Sequence, residues 1–240
     1  MKKQEFINLI GEHIRNYGYH LTIVAGKSPL PRYCYSIGLL EKFGFELAFA
    51  GGDIYKADEI KEIIDKIIEQ IKIDQLLINF SLGELGNFKL QLIDESWSTI
   101  MFDGIYDFYK SSKIKVYQIM PDEKHKTLEV PNMSLKFDAK NEPIWKWLTE
   151  NWIYPISQDS IVFTDVDALF GKKILEIMRW EELEWEMFTS DGTEIPTDKK
   201  RVVSFGTILG IDNTIAPAMN LNLEKGLFRD EEELEWNDWG

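Results

Sequence analysis

One cysteine, Cys34, is all the thiol this chain has in 240 residues. That excludes an internal disulfide framework and suits a reducing compartment. Histidine is nearly as scarce, with His13, His20 and His125 the whole supply. Together with one thiol they make no recognised ligand spacing, so neither a metal nor a cofactor is expected. Long apolar runs are missing as well. No stretch of about 18 apolar residues occurs, which removes a membrane-spanning helix. The start, Met1-Lys2-Lys3-Gln4-Glu5-Phe6, lacks the apolar core and cleavage site of a secretory signal. A cytoplasmic protein is the expectation. Neither nucleotide-binding glycine fingerprint is present. Gly51-Gly52 falls between a strand and a helix, but Asp53 directly after it would oppose an anion.

Positive charge is the last thing in short supply. Lys and Arg number 27 against 41 Asp and Glu, for a net charge of −14. The deficit is uneven. Residues 1–150 hold 19 basic against 22 acidic side chains, whereas residues 151–240 hold 8 against 19. Such a field repels nucleic acid, whose binding depends on neutralised phosphates. It attracts a basic protein and speeds that encounter. Solubility alone is the plainer reading of the same charge. Apolar residues, at 44%, are plentiful, with eight Trp, nine Tyr and fourteen Phe for cores. The length suits one large domain or two small ones.

The stretch Pro31 to Leu39 organises the first half: a short β-prone run ending in Gly38-Leu39, followed closely by the strand Glu46 to Ala50. Before it, Phe6, Leu9, Ile10, Ile14 and Tyr17 fall at helical spacing up to Gly18, and Tyr19 to Val24 reads as a strand. After it, Ile60, Ile63, Ile64, Ile67, Ile68 and Ile71 form one stripe of a long helix whose opposite face is charged. Phe88 to Ile93 and Lys115 to Met120 read as strands, and Met101 to Tyr109 as a helix. Strands and helices do not alternate strictly. The expected class is α+β, with a mostly antiparallel, barrel-like sheet and flanking helices over residues 1–137. The polar run Asp138 to Pro143 reads as a connection. A smaller acidic α+β domain then covers 144–240. It opens with an aromatic helix, Ile144 to Trp152, and continues with strands near 160–163, 173–179 and 184–189 and a helix from Val203 to Ile211.

Gly18-Tyr19-His20, Tyr35-Ser36-Ile37-Gly38-Leu39, Phe45-Glu46-Leu47 with Gly51, and Gln118-Ile119-Met120-Pro121-Asp122 occur in that order. In order and spacing they resemble the bacterial domain-of-unknown-function family 4262, over about residues 5 to 131. The family pattern has Trp where this chain has Tyr19 and Met120, and Thr where it has Ser36. The family brings no activity with it. A second pattern comprises Gly171-Lys172-Lys173-Ile174, Arg179, Trp185-Glu186-Met187-Phe188, Gly192, Asp212 and Phe228-Arg229-Asp230. It is similar to immunity domains related to domain-of-unknown-function family 2185, which lie beside polymorphic bacterial toxins.

No catalytic constellation emerges. Cys34 between two tyrosines reads as a small buried hydrophobe. Ser36 is not in a hydrolase elbow. His13 and His20, parted by a helix end, are expected to point apart. Asp165-Val166-Asp167 reads as a helix cap rather than a calcium loop. The acidic run Asp230, Glu231, Glu232, Glu233, interleaved with Trp236 and Trp239, forms a contact surface for a basic partner or a solvated tail. Charge and resemblance together imply a non-enzymatic binding protein of the immunity type, which neutralises a basic toxin by occlusion and touches neither nucleic acid nor membrane. The alternative is a small-ligand or flavin binder using His20, Tyr33, Tyr35 and Ser36.

Overall fold

The computed structural model describes residues 3–24, 29–111 and 113–239. These fall into two compact units, each considered on its own. The first comprises the described residues of Met1–Val24, Tyr33–Lys126 and Asn132–Phe137; the second those of Ala25–Arg32, Thr127–Pro131 and Asp138–Gly240. The short segments 29–32 and 127–131 thus group with the later part of the chain.

The first unit runs α1 (Lys3–Tyr17), β1 (His20–Val24), β2 (Tyr33–Ile37), α2 (Leu40–Phe43), β3 (Glu46–Ala50), α3 (Ala57–Ile73), β4 (Asn79–Ser81), β5 (Asn87–Leu92), α4 (Glu95–Met101), α5 (Asp103–Tyr109) and β6 (Val116–Pro121). Its sheet has the order β1-β2-β3-β6-β5-β4. Every pairing is antiparallel except β3 with β6. The class is α+β, but the sheet is open: β1 and β4 end it and do not pair with each other. Closure into a barrel would bury a sheet face against itself. Here α3 covers that face instead. Its six stripe isoleucines are all buried, against Cys34, Leu47, Phe49, Phe80, Phe88 and Ile119. Each such side chain contributes about 1.5–3 kcal/mol relative to exposure.

Alternation sends Tyr33 and Tyr35 to the other face, where both rings meet Phe102. The expected helix 101–109 is two helices broken at Phe102, which is fully buried. Insertion of that ring against the tyrosines ends α4 and redirects the chain.

Glu46 ties the centre of this unit together. It is completely buried. Its Oε1 accepts from the backbone N–H groups of Gly38, Leu39 and Leu40 at 2.9, 3.0 and 3.0 Å, and from the Tyr109 hydroxyl at 2.5 Å. Its Oε2 accepts from Ser36 Oγ at 2.5 Å. The amides that lead into α2, those of Gly38, Leu39 and its first residue Leu40, are all satisfied by this one carboxylate.

The second unit contains β7 (Ile161–Asp165), α6 (Val166–Leu169), β8 (Glu176–Arg179), β9 (Glu184–Phe188), β10 (Lys200–Ser204), α7 (Phe205–Ile211), β11 (Lys225–Phe228) and β12 (Asn237–Trp239). Its sheet order is β10-β7-β9-β8-β11-β12, again open, with only β7 and β9 parallel. Trp185, Ile177, Met187, Phe205, Ile208 and Ile215 centre its core.

Two elements differ from expectation. Residues 144–152 form a single tight turn, Lys146–Leu148, rather than a helix. Their indoles are drawn to separate backbone acceptors: Trp145 Nε1 donates to Glu129 O and Trp152 Nε1 to Ile156 O. The expected helix 203–211 is strand up to Ser204, whose side chain then caps α7 by accepting from Thr207 N at 3.1 Å. Asp165 does cap α6, through Ala168 N.

A buried ion pair fastens the second unit. Arg229, 4% exposed, donates to Ile174 O at 2.6 Å, Thr214 Oγ1 at 2.8 Å and Asp212 Oδ2 at 2.9 Å. Lys173 Nζ reaches the other Asp212 oxygen at 3.1 Å. Burial alone would raise the Asp212 pKa, but the Thr214 hydrogen bond, Lys173 and Arg229 outweigh it and hold the carboxyl below its ordinary value.

Candidate functional site

In β8 and β9 side chains alternate between two faces. Ile177, Trp185 and Met187 point into the core and are fully buried. Glu176, Met178 and, just past the strand, Trp180 lie on the other face with Glu186 and Phe188. Register carries this face across four strands in one row: Glu186 lies opposite Met178, Met178 opposite Gly226, and Gly226 opposite Trp239. Gly226 has no side chain, and one there would be forced to 2.7 Å from Ile177 O and 3.1 Å from Met178 Sδ. The same face holds a hollow of about 360 Å³, lined by Glu176, Met178, Trp180, Glu186, Phe188 and Trp239 among others.

Its walls are aromatic and its rim acidic. Trp180 and Trp239 stand at the mouth, each 47% exposed. Phe188 lies beneath the 191–193 turn. Glu176, Glu186 and Asp191 supply three carboxylates. Among the described lining residues Lys200 is the only cation; its Nζ donates to Gly192 O at 2.9 Å and stands 5.1 Å from the Phe188 ring centre. Glu176 accepts from Gly192 N at 3.1 Å, yet burial, with Asp191 and Glu186 adding to it, raises its pKa. The hollow therefore holds negative potential that its own residues do not cancel. Indole faces beside such carboxylates suit an ammonium or guanidinium group.

No family model, curated protein or solved structure matches this chain. What it can do has to be read from its own geometry.

Of the six residues picked out in the sequence as a contact surface, none of the four acids lines this hollow and one of the two tryptophans does. Trp239, in β12, lines it. Trp236 does not: its indole N–H donates to Thr214 O at 2.9 Å and its ring covers the Arg229 guanidinium at 4.1 Å, so it belongs to the ion-pair knot. Asp230 is spent on the turn, accepting from Glu232 N and Glu233 N. Glu231 lies 3.5 Å from Lys172. Glu232 and Glu233 are exposed.

The four residues of the small-ligand alternative, all in the first unit, are built into its packing. Ser36 is fully buried between Glu46 and Leu47 N. Tyr33 and Tyr35 are buried, and desolvation raises the pKa of each, that of Tyr33 to about 12. His20 does not point away from His13. The two Nδ1 atoms are 2.8 Å apart. Gly18, at φ 88°, reverses the chain so that β1 returns beside the end of α1.

Glu176, Trp180, Glu186 and Asp191 were not singled out from the sequence as site residues. The alternation Glu176-x-Met178-x-Trp180 and Glu184-x-Glu186-x-Phe188 marks a face that is neither core nor simply solvated. That was the available signal.

Proposed function

We propose that the second unit is a recognition surface for a basic protein, and that the acidic aromatic hollow receives a lysine or arginine side chain of that partner. The observation that carries this is the uncancelled charge of Glu176, Glu186 and Asp191 beside two half-exposed indoles. The acidic surplus of residues 151–240 supports it by steering a cationic partner toward the site. The biological form that fits is occlusion, as an immunity protein covers the active surface of a basic toxin. The hollow supplies an anchor, and the surrounding acids supply approach rate.

Affinity capture with the full chain, from cells carrying candidate basic toxins, tests it. The expected result is a basic partner whose association weakens steeply as salt rises. Trp180→Ala and Glu186→Gln should each weaken it by about 2 kcal/mol, in the range of an interface anchor. A captured partner indifferent to salt and to both substitutions would refute the assignment.

A further inference from the structure

The first unit has a larger cavity that the basic-partner reading does not use. It is a groove of about 750 Å³ between β1, α2 and α3, within the range of small-molecule sites. Leu21 and Ile23 of β1, Leu39 and Phe43 around α2, and Ile68 of α3 give it an apolar bed. Ile23 is 52% exposed on that bed, an unusual position for isoleucine on an otherwise covered sheet face.

Charge at the groove runs against the rest of the protein. Asp65 is already engaged, receiving the Tyr19 hydroxyl at 2.6 Å and Lys61 Nζ at 2.6 Å on its two oxygens. Burial and this carboxylate raise the Tyr19 pKa, so the phenol stays a donor. Lys42 and Lys72 also line the groove, both exposed, and neither is within ion-pair distance of a carboxylate among the described residues. Glu69 is the one lining carboxylate left against them. Three lysines against two carboxylates is a local positive excess on a chain of net charge −14.

We propose that this groove binds a small amphipathic anion: an apolar chain or ring system lying on Leu21, Ile23, Phe43 and Ile68, with one carboxylate held by Lys42 and Lys72. The apolar body accounts for affinity and the lysine pair for the sign of charge selected. The site is separate from the acidic hollow and selects the opposite charge.

Calorimetric titration of the full chain with dodecanoate, below its micelle-forming concentration, tests the proposal, with dodecylammonium as the counter-probe. Dodecanoate should saturate at one per chain, and dodecylammonium should bind about tenfold more weakly. The Lys42→Gln, Lys72→Gln double variant should lose that preference. Both lysines are exposed, so the fold should survive, and thermal melting checks it. Ile23→Glu, also at an exposed position, should abolish dodecanoate binding by placing a carboxylate on the bed. Absence of saturation, equal binding of the two probes, or a preference retained by the double variant would overturn it.

Discussion

Replacing Glu46 by alanine removes one carboxylate and strands several donors at once. Leu39 N and Leu40 N lose their only acceptor named above, while Gly38 N keeps the Tyr109 oxygen at 2.7 Å. The hydroxyls of Ser36 and Tyr109 lose the acceptor for their protons. An unsatisfied buried donor costs about 1–3 kcal/mol, and the losses are not additive. A net destabilisation of about 3–5 kcal/mol is expected for Glu46→Ala, a large part of a typical domain's stability. Glu46→Gln keeps an oxygen for the amides and disturbs mainly the Ser36 side, so about 1–2 kcal/mol is expected there.

Intrinsic fluorescence is the wrong probe, because Trp97 is the only tryptophan of the first unit and the other seven belong to the second. Hydrogen exchange read peptide by peptide separates the two. Peptides spanning β2, β3 and β6 should lose protection in Glu46→Ala, while those of β8 and β9 keep theirs. A variant within about 1 kcal/mol of the parent, or a glutamine as costly as the alanine, would show that the carboxylate is not the tie the geometry makes it.

Further perturbations address other parts of the chain. Burial, and then the neighbouring His13, lower the His20 pKa. A base whose folded pKa is depressed lends stability that is whole above its unfolded value of about 6.5 and lost as pH falls below it. The parent should therefore lose first-unit protection on acidification more steeply than His20→Gln, and parallel profiles would contradict this. For Asp122, burial acts upward but hydrogen bonds from Asn87 and His125 prevail and hold it at about 2. Its contribution is present above the ordinary carboxylate value of about 3.9 and fades as pH falls toward about 2. Urea midpoints of the parent and Asp122→Asn should converge over that window. Arg229→Met strips Asp212 of its buried partner and should cost about 3–5 kcal/mol in the second unit. Near-ultraviolet circular dichroism, which senses the Trp236 ring over the guanidinium, should change with it.

Local periodicity was readable where the partner of a residue lies within a turn or two of it. The α3 stripe is such a case: the three- and four-residue spacing of its isoleucines is itself the statement that they share a face. Strand runs such as Glu46 to Ala50 are another. Residues whose meaning depends on register were not readable. Glu46 looks like an ordinary polar position between Phe45 and Leu47; its role depends on Tyr109, 63 residues away. Gly226 looks like a turn glycine until β11 is set between β8 and β12, where a side chain would meet Ile177 O at 2.7 Å and Met178 Sδ at 3.1 Å. Ile144, Trp145, Leu148 and Trp152 imitate a helical stripe, with steps of three and four from Trp145 onward, though the Trp145 and Trp152 indoles donate to separate backbone acceptors.

The residues that carry the first resemblance follow from the same logic. Ser36, Gly38 and Leu39 bond to Glu46, Tyr19 bonds to Asp65, Met133 N donates to Gln118, and Asp122 holds the turn at Asn87. Nearly every polar group in that pattern is consumed inside the first unit. A sequence keeping those residues keeps the scaffold, whatever it binds. On the two proposals above, ligand choice resides elsewhere: in Ile23, Lys42 and Lys72, which that pattern leaves free, and in Trp180, Glu186 and Trp239 of the other unit. Exchanging these should alter binding while leaving the hydrogen-exchange profile of the scaffold in place.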